Sequence, residues 1–551
     1  MMLSSLLCIA MSSISPAFGS SITSAVSPVV TLPYGSFQGS TTGNISSFLG
    51  MPFAQAPLDN LRFAPPQAPL AFGGVRQAVS YGAACLQQAN TPPPNLPFNL
   101  SSSTLTNVSE DCLFINILKP ESAQEGDNLP VLLWIFGGAF EEGDSSSNPG
   151  NDIVERSLVL GQPIIFVSFN YRLNAFGFLA SEEVQQAGLT NIGLRDQRFA
   201  LKWVNQHISL FGGDPSKVTI WGESAGSFSV GFQIILNDGE TEGLFRAAVM
   251  ESGSAYALRN VSAGQQYYDL VVQSTGCSQQ ADTLDCLRRA PAEQIIAAVN
   301  MTPNSNGYTA HNLAWQPRLD GDIFVRNPQR SMMMGLYAKV PIISGDCDDE
   351  GTSFSLGNTN ITTDEEFLSY LSSNYIPDAS WDEILAVGTA YPDDPALGAP
   401  FDTGDANQLT PQFKRIAAFT TDWQFQAPRR LTLSTMSQTQ NAWSYLYRRG
   451  KSTPYLGARH GSDIPEFFSN GDFIGMDALI NFATKLDPNA AVGLAPNISY
   501  LSGVHWAKWR SNIIAPPLLT FQDPAPAINF TTDTFRSRPI ALLEALSLQM
   551  P

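Results

Sequence analysis

Between residues 113 and 345 the chain repeats one pattern, in which a short apolar, β-branched run alternates with a stretch of helical spacing. The runs are LFINIL, VLLWIF, PIIFVSF, KVTIW, AAVMESG and VPIISG. Several are apolar throughout instead of alternating in and out, which is the mark of strands covered on both faces. They predict an α/β fold: a large, mostly parallel or mixed central sheet flanked by helices. Within NIGLRDQRFALKWVNQHISLFGG, the residues Leu194, Phe199, Leu201, Trp203, Val204 and Ile208 fall at near-helical spacing, and the helix stops at paired glycines. Residues 350–450 read as helices and loops, with a return to strand at AWSYLYRR. No internal repeat, low-complexity tract or interdomain linker interrupts the pattern. The expectation is one large α/β domain with helical and loop insertions.

The ends and the charge bound what this domain can do. Residues 1–19 have an apolar centre, no acidic residue and small residues near the end, as a secretory signal peptide does, although a basic start is lacking. The expected mature chain is then 20–551, and no later run is long and apolar enough to span a bilayer. Eight N-x-S/T acceptors, at Asn44, Asn99, Asn107, Asn260, Asn300, Asn360, Asn497 and Asn529, fit a secreted glycoprotein with those asparagines on exposed loops. A net charge of −19 disfavours a nucleic-acid partner, whose phosphates it repels. Four histidines, with no C-x-x-C or H-E-x-x-H spacing, argue against a metal or other cofactor. Outside the signal segment, nearest-neighbour pairing of the cysteines joins Cys85 to Cys112 and Cys277 to Cys286 and leaves Cys347 free, although spacing alone does not fix connectivity.

One short motif carries chemistry. In KVTIWGESAGSFSVGF, Ser224 stands between Gly222 and Gly226, after a predicted strand and before an apolar helical stripe of Ala225, Phe228, Phe232, Ile235 and Leu236. A strand, a sharp turn and a helix are what a nucleophile elbow requires; the turn exposes the hydroxyl, and side chains at the two glycines would strike neighbouring backbone. Acyl transfer also needs fixed donors for an oxyanion. VLLWIFGGAFEEGDSS ends a predicted strand in Gly137, Gly138 and Ala139, and the amides of Gly138, Ala139 and Ala225 make a plausible three-donor hole.

These stretches, together with SEDCLFINI, NYRLNAFGFL and DDEGTSF, resemble the type-B carboxylesterase/lipase family of the α/β-hydrolase fold, which includes cholinesterases and secreted fungal lipases. The resemblance runs over roughly residues 25–530. It implies the same two disulfides. It also implies the partners of Ser224: the acid at Glu350, where Asp348 and Asp349 compete on chemistry alone, and the general base at His460 in LGARHGSDIPEFF. His207 inside a helix, His311 in a loop and His505 in an expected VHWAKW helix are better read as packed or solvated. The order Ser224, Glu350, His460 is that of α/β-hydrolases. Ala139 replaces a glycine common among relatives, and its methyl would trim the acyl pocket.

Residues 86–111 occupy the disulfide-closed position where lipases of this family carry a lid. Pro92, Pro93, Pro94 and Pro97 oppose a long helix there, while Leu96, Phe98 and Leu100 offer an apolar patch. The resulting expectation is a secreted serine esterase taking lipophilic esters, such as acylglycerol or sterol esters, with transient contact to lipid interfaces or micelles. Hydroxycinnamate (feruloyl-type) esters are the alternative substrate. A non-catalytic, cholinesterase-like binding or adhesion module is the alternative of another class, and the presence of serine, acid and histidine together weighs against it.

Overall fold

The computed structural model describes residues 27–94, 96–98, 105–469 and 471–551. The expected signal segment 1–19 and the acceptor Asn99 lie outside them. Eleven strands form the main sheet: β1 Ser40–Thr42, β2 Ile45–Pro52, β3 Phe114–Pro120, β4 Leu129–Ile135, β5 Ile165–Phe169, β6 Gly213–Glu223, β7 Ala247–Glu251, β8 Ile342–Cys347, β9 Ala442–Tyr447, β10 Pro517–Phe521 and β11 Ile528–Thr532. Their spatial order is β11-β10-β9-β8-β7-β6-β4-β5-β3-β2-β1. From β5 through β10 every neighbouring pair is parallel, and the outer strands pair antiparallel. The sheet is therefore mixed with a parallel centre, as the continuous apolar runs required. A separate three-stranded sheet joins Val29–Leu32, Gly35–Gln38 and Val75–Gln77.

Strands β5, β7, β8 and β9 are buried along their whole length, and β4 and β6 over their second halves. At the middle of the sheet Trp134 of β4 and Trp221 of β6 meet with ring centroids 4.3 Å apart, and Phe468 stacks on Trp221 at 4.6 Å. Register places Ile135 beside Gly222 and Glu223 beside Glu251, so the carboxyl ends of β4, β6 and β7 finish on one edge, with those of β8 and β9 beside them. Ligand sites in open α/β sheets form at that edge.

Two disulfides, Cys85–Cys112 and Cys277–Cys286, are formed, and Cys347 is a buried free thiol. The seven described acceptor asparagines are all exposed, although Asn529 stands on the edge strand β11 and not in a loop. No helix among the described residues is long and apolar enough to cross a membrane. Around His505 the expected helix is absent: residues 504–510 are irregular. Trp506 Nε1 donates to Ser444 O at 3.1 Å and Trp509 Nε1 to Asp533 Oδ2 at 3.0 Å, so tertiary hydrogen bonds fix this aromatic segment against β9 in place of its own helical ladder.

Candidate active site

Ser224 caps the helix Ala225–Ile235 with φ 55° and ψ −125°, a backbone region that side-chain-bearing residues rarely occupy. The strain is held from both sides. Ser224 N–H donates to Glu251 O at 3.0 Å, and Ser224 O accepts from Phe228 N at 2.8 Å. The two flanking glycines are obligatory, because a Cβ on Gly226 would lie 1.9 Å from Ile135 O and one on Gly222 2.5 Å from Gly226 O.

Glu350 follows β8 and His460 follows β9. Ser224 Oγ–H donates to His460 Nε2 at 2.8 Å, and His460 Nδ1–H donates to Glu350 Oε2 at 2.5 Å. This pattern assigns the proton to Nδ1 of a neutral imidazole. Cys347 N–H donates to Glu350 Oε1 at 2.6 Å, fixing the carboxylate from behind. The competing acids are turned away: Asp348 and Asp349 pair with Lys451, and Asp348 also with Arg448. Of the other histidines, His207 ends the helix Ile192–His207 against Trp203, whereas His311 lies close behind the site, its ring 4.0 Å from that of Phe354.

Burial dominates the electrostatics. It lowers the His460 pKa, and the carboxyls of Glu223 and Asp463 pull it partly back. It raises Glu350, as does Asp463, against the hydrogen bonds from Ser252 and Cys347. Glu223, whose Oε1 is 3.3 Å from His460 Nε2, is pushed up to about 8 chiefly by burial, against the opposing pull of His460. A charged Glu223 would favour the imidazolium, and a neutral one leaves His460 free to accept a proton.

Gly138 and Ala139 follow β4 with φ 98° and 58°. Among the described residues their amides donate to no protein acceptor, and Ala225, the first residue of its helix, has one of the unpaired amides every helix start presents. Close approach again needs glycine, since a Cβ on Gly137 would sit 2.8 Å from Ser224 Cβ. The rings of Phe354 and Phe425 stand 5.0 and 4.9 Å from His460, forming an aromatic wall. A cavity of about 690 Å³ opens beside the site, bordered by Gly137, Gly138, Glu223, Arg459 and the first part of the lid-like loop, Leu86–Pro92.

Sequence reading missed Glu223, Asp463, Phe425 and the placement of His311. Glu223 and Asp463 sat inside quoted motifs, but only the β6–β7 register and the fold-back of the 460 loop reveal what they face.

The protein is 41% identical to Lipase 4 of Diutina rugosa over 489 residues, covering 85% of this chain and 86% of that one. It is 38% identical to Secreted lipase 1 of Botryotinia fuckeliana over 540 residues, covering 93% and 92% of the two chains. A secreted triacylglycerol lipase of Gibberella zeae is 36% identical, with 89% and 86% covered. Among solved structures, EstA of Aspergillus niger superposes with a TM-score of 0.81 at 29% identity, covering 95% of this chain and 99% of that one. The model of the carboxylesterase family matches residues 26–501. With this match, the α/β-hydrolase sheet and a serine, histidine and glutamate in one hydrogen-bonded relay, the chain belongs to the carboxylesterase family and is a carboxylic-ester hydrolase.

Proposed function

We propose that the mature protein, residues 20–551, is a secreted single-domain esterase that hydrolyses lipophilic carboxylic esters, with Ser224 as nucleophile, His460 as general base and Glu350 as its orienting acid. The observation that carries the reading is the continuous relay from Ser224 Oγ through both nitrogens of His460 to Glu350. Ser224 Oγ attacks the ester carbonyl as its proton passes to His460 Nε2, and the amides of Gly138, Ala139 and Ala225 hold the oxyanion. His460 then protonates the leaving alcohol as the C–O bond breaks. In the second half, water adds to the acyl carbon, His460 takes one of its protons, and collapse releases the acid and returns a proton to Ser224.

The lipophilic preference is supported by relatives named lipases and by the loop 86–111, the lid in this reading. Its described residues contain no helix, and its Leu96 and Phe98 pack on Leu356, Phe413 and Leu456. So short a cover suits esters met singly or in micelles, with modest activation at lipid interfaces.

A fluorophosphonate is expected to label Ser224, and Ser224→Ala to remove at least ~10⁴-fold of kcat on a short p-nitrophenyl ester without unfolding the protein. Folded protein that stays unlabelled, or an active alanine variant, overturns the assignment. A panel of short and long p-nitrophenyl esters, triglycerides, sterol esters and methyl ferulate tests the substrate class; preference for methyl ferulate over all acyl-chain esters reverses it.

A further inference from the structure

The helix Ile192–His207 carries Arg195, Arg198 and Lys202 at positions i, i+3 and i+7, which share one helical face. In a chain with 30 basic against 49 acidic residues, that concentration of positive charge is a local exception. The three side chains line a cleft of about 230 Å³ whose apolar walls include Pro65, Pro66, Phe199, Leu236 and Ile323. None of these residues borders the cavity beside Ser224.

Charge around the cleft is incompletely matched. Lys202 Nζ lies 2.9 Å from Glu242 Oε2, and Arg195 Nη2 lies 2.5 Å from Asp322 Oδ2. Arg198, only 8% exposed, donates through Nη2 to Glu240 O and Glu242 Oε1, both at 2.8 Å. Its Nη1 is buried and has no acceptor among the described residues. Three cations therefore have two carboxylates, Glu242 and Asp322, as direct ion-pair partners, with the Glu240 carboxylate held nearby by the Glu242 amide, and a buried guanidinium nitrogen of Arg198, which lines the cleft, remains unsatisfied. An unpaired buried donor is unfavourable, and an anion that reaches it relieves that cost with a charge-assisted hydrogen bond.

We propose that this cleft is a second, non-catalytic ligand site for an amphiphile with an anionic head and an apolar tail. The head meets Arg195, Arg198 and Lys202, and the tail lies on Phe199, Leu236 and Ile323. Ester hydrolysis itself produces such a molecule, a medium-chain carboxylate. That choice of occupant rests on the lipophilic-acyl reading above, whereas the preference for anionic amphiphiles does not.

The test uses the full mature protein with Ser224 blocked by a fluorophosphate, so that the catalytic cavity does not contribute turnover. Decanoate, decyl sulfate and decanol are titrated below micelle formation by calorimetry. Decanoate and decyl sulfate are expected to bind one-to-one, at least about tenfold more tightly than decanol, and to weaken as salt is raised. The double variant Arg195→Gln/Lys202→Gln, which spares the buried Arg198, is expected to weaken both anions about tenfold while ester hydrolysis by unblocked protein is unchanged. Ile323→Ser is expected to weaken all three ligands. Absence of saturable binding, equal binding of decanol, or undiminished binding by the double variant overturns the site. Binding of decyl sulfate without decanoate overturns the product assignment. Failure of the fluorophosphate to react with Ser224 counts against the catalytic reading alone, because the titration still reports on the cleft.

Discussion

In the role proposed for His460 two demands meet, because a general base must be neutral at rest yet able to carry charge in the transition state. Burial secures the first by lowering its pKa below the ordinary 6.5, and Glu350 on Nδ1 provides for the second. The expected consequence is that kcat/KM for a soluble ester rises with pH through a midpoint below the ordinary imidazole value of 6.5; a pH-rate profile with its midpoint above 6.5 contradicts this role. At Gly226 the demand is steric. Gly226→Ala places a methyl 1.9 Å from Ile135 O, and it is expected to cost at least about 3 kcal/mol or to prevent folding, as read by denaturant unfolding. Both glycines of the elbow were legible in the sequence because their spacing around a serine between strand and helix has one steric explanation. Glu223 was not, although it precedes the serine. Its raised pKa comes first from burial and then from Asp463 and Glu350, brought near it from 240 and 127 residues away by the chain after β9 and by β8.

Among the elements, legibility followed burial. The central strands announced themselves because both faces are covered, which forces uninterrupted apolar residues. β1, with the sequence STT, and β11, with INFTT, lie at the sheet edges with mostly polar, partly exposed residues, and nothing in their composition separates them from loop. The aromatic segment 504–510 misled for the opposite reason: its tryptophans are buried, but by tertiary hydrogen bonds from a non-helical chain. The lid-like loop is an element held more by its ends than by itself. Cys85–Cys112 closes it, Gln88 N–H donates to Glu141 O at 2.9 Å, and Asn90 Nδ2 donates to Glu142 Oε1 at 3.0 Å, tying its start to the chain just after Ala139. Cys85→Ser/Cys112→Ser is expected to lower unfolding free energy by about 3 to 4 kcal/mol, measured in denaturant, with larger losses on esters that depend on the loop than on short soluble ones.

Over the whole molecule, ionisation and stability are linked through buried acids. Burial pushes Glu141, Glu223 and Asp346 each to about 8. The native state keeps protons that the unfolded chain releases above its ordinary carboxyl pKa near 4, so these groups stabilise the fold at low pH and lose that contribution as pH rises toward 8. Asp533 acts oppositely: Arg429 and Arg430 hold it below the usual range, and its contribution vanishes only in strong acid. Thermal unfolding is therefore expected to move to lower temperature between pH 5 and pH 8, with Glu223→Gln flattening the trend; an unfolding temperature that rises over this interval contradicts it. The site has one further property at this scale. Ser224, Glu350 and His460 hang from the ends of β6, β8 and β9, so the relay exists only in molecules whose parallel register is correct across all three. With Ser224 as the proposed nucleophile, a fluorophosphonate that consumes it stoichiometrically counts correctly assembled molecules in any preparation, and active-site titration becomes a measure of refolding yield.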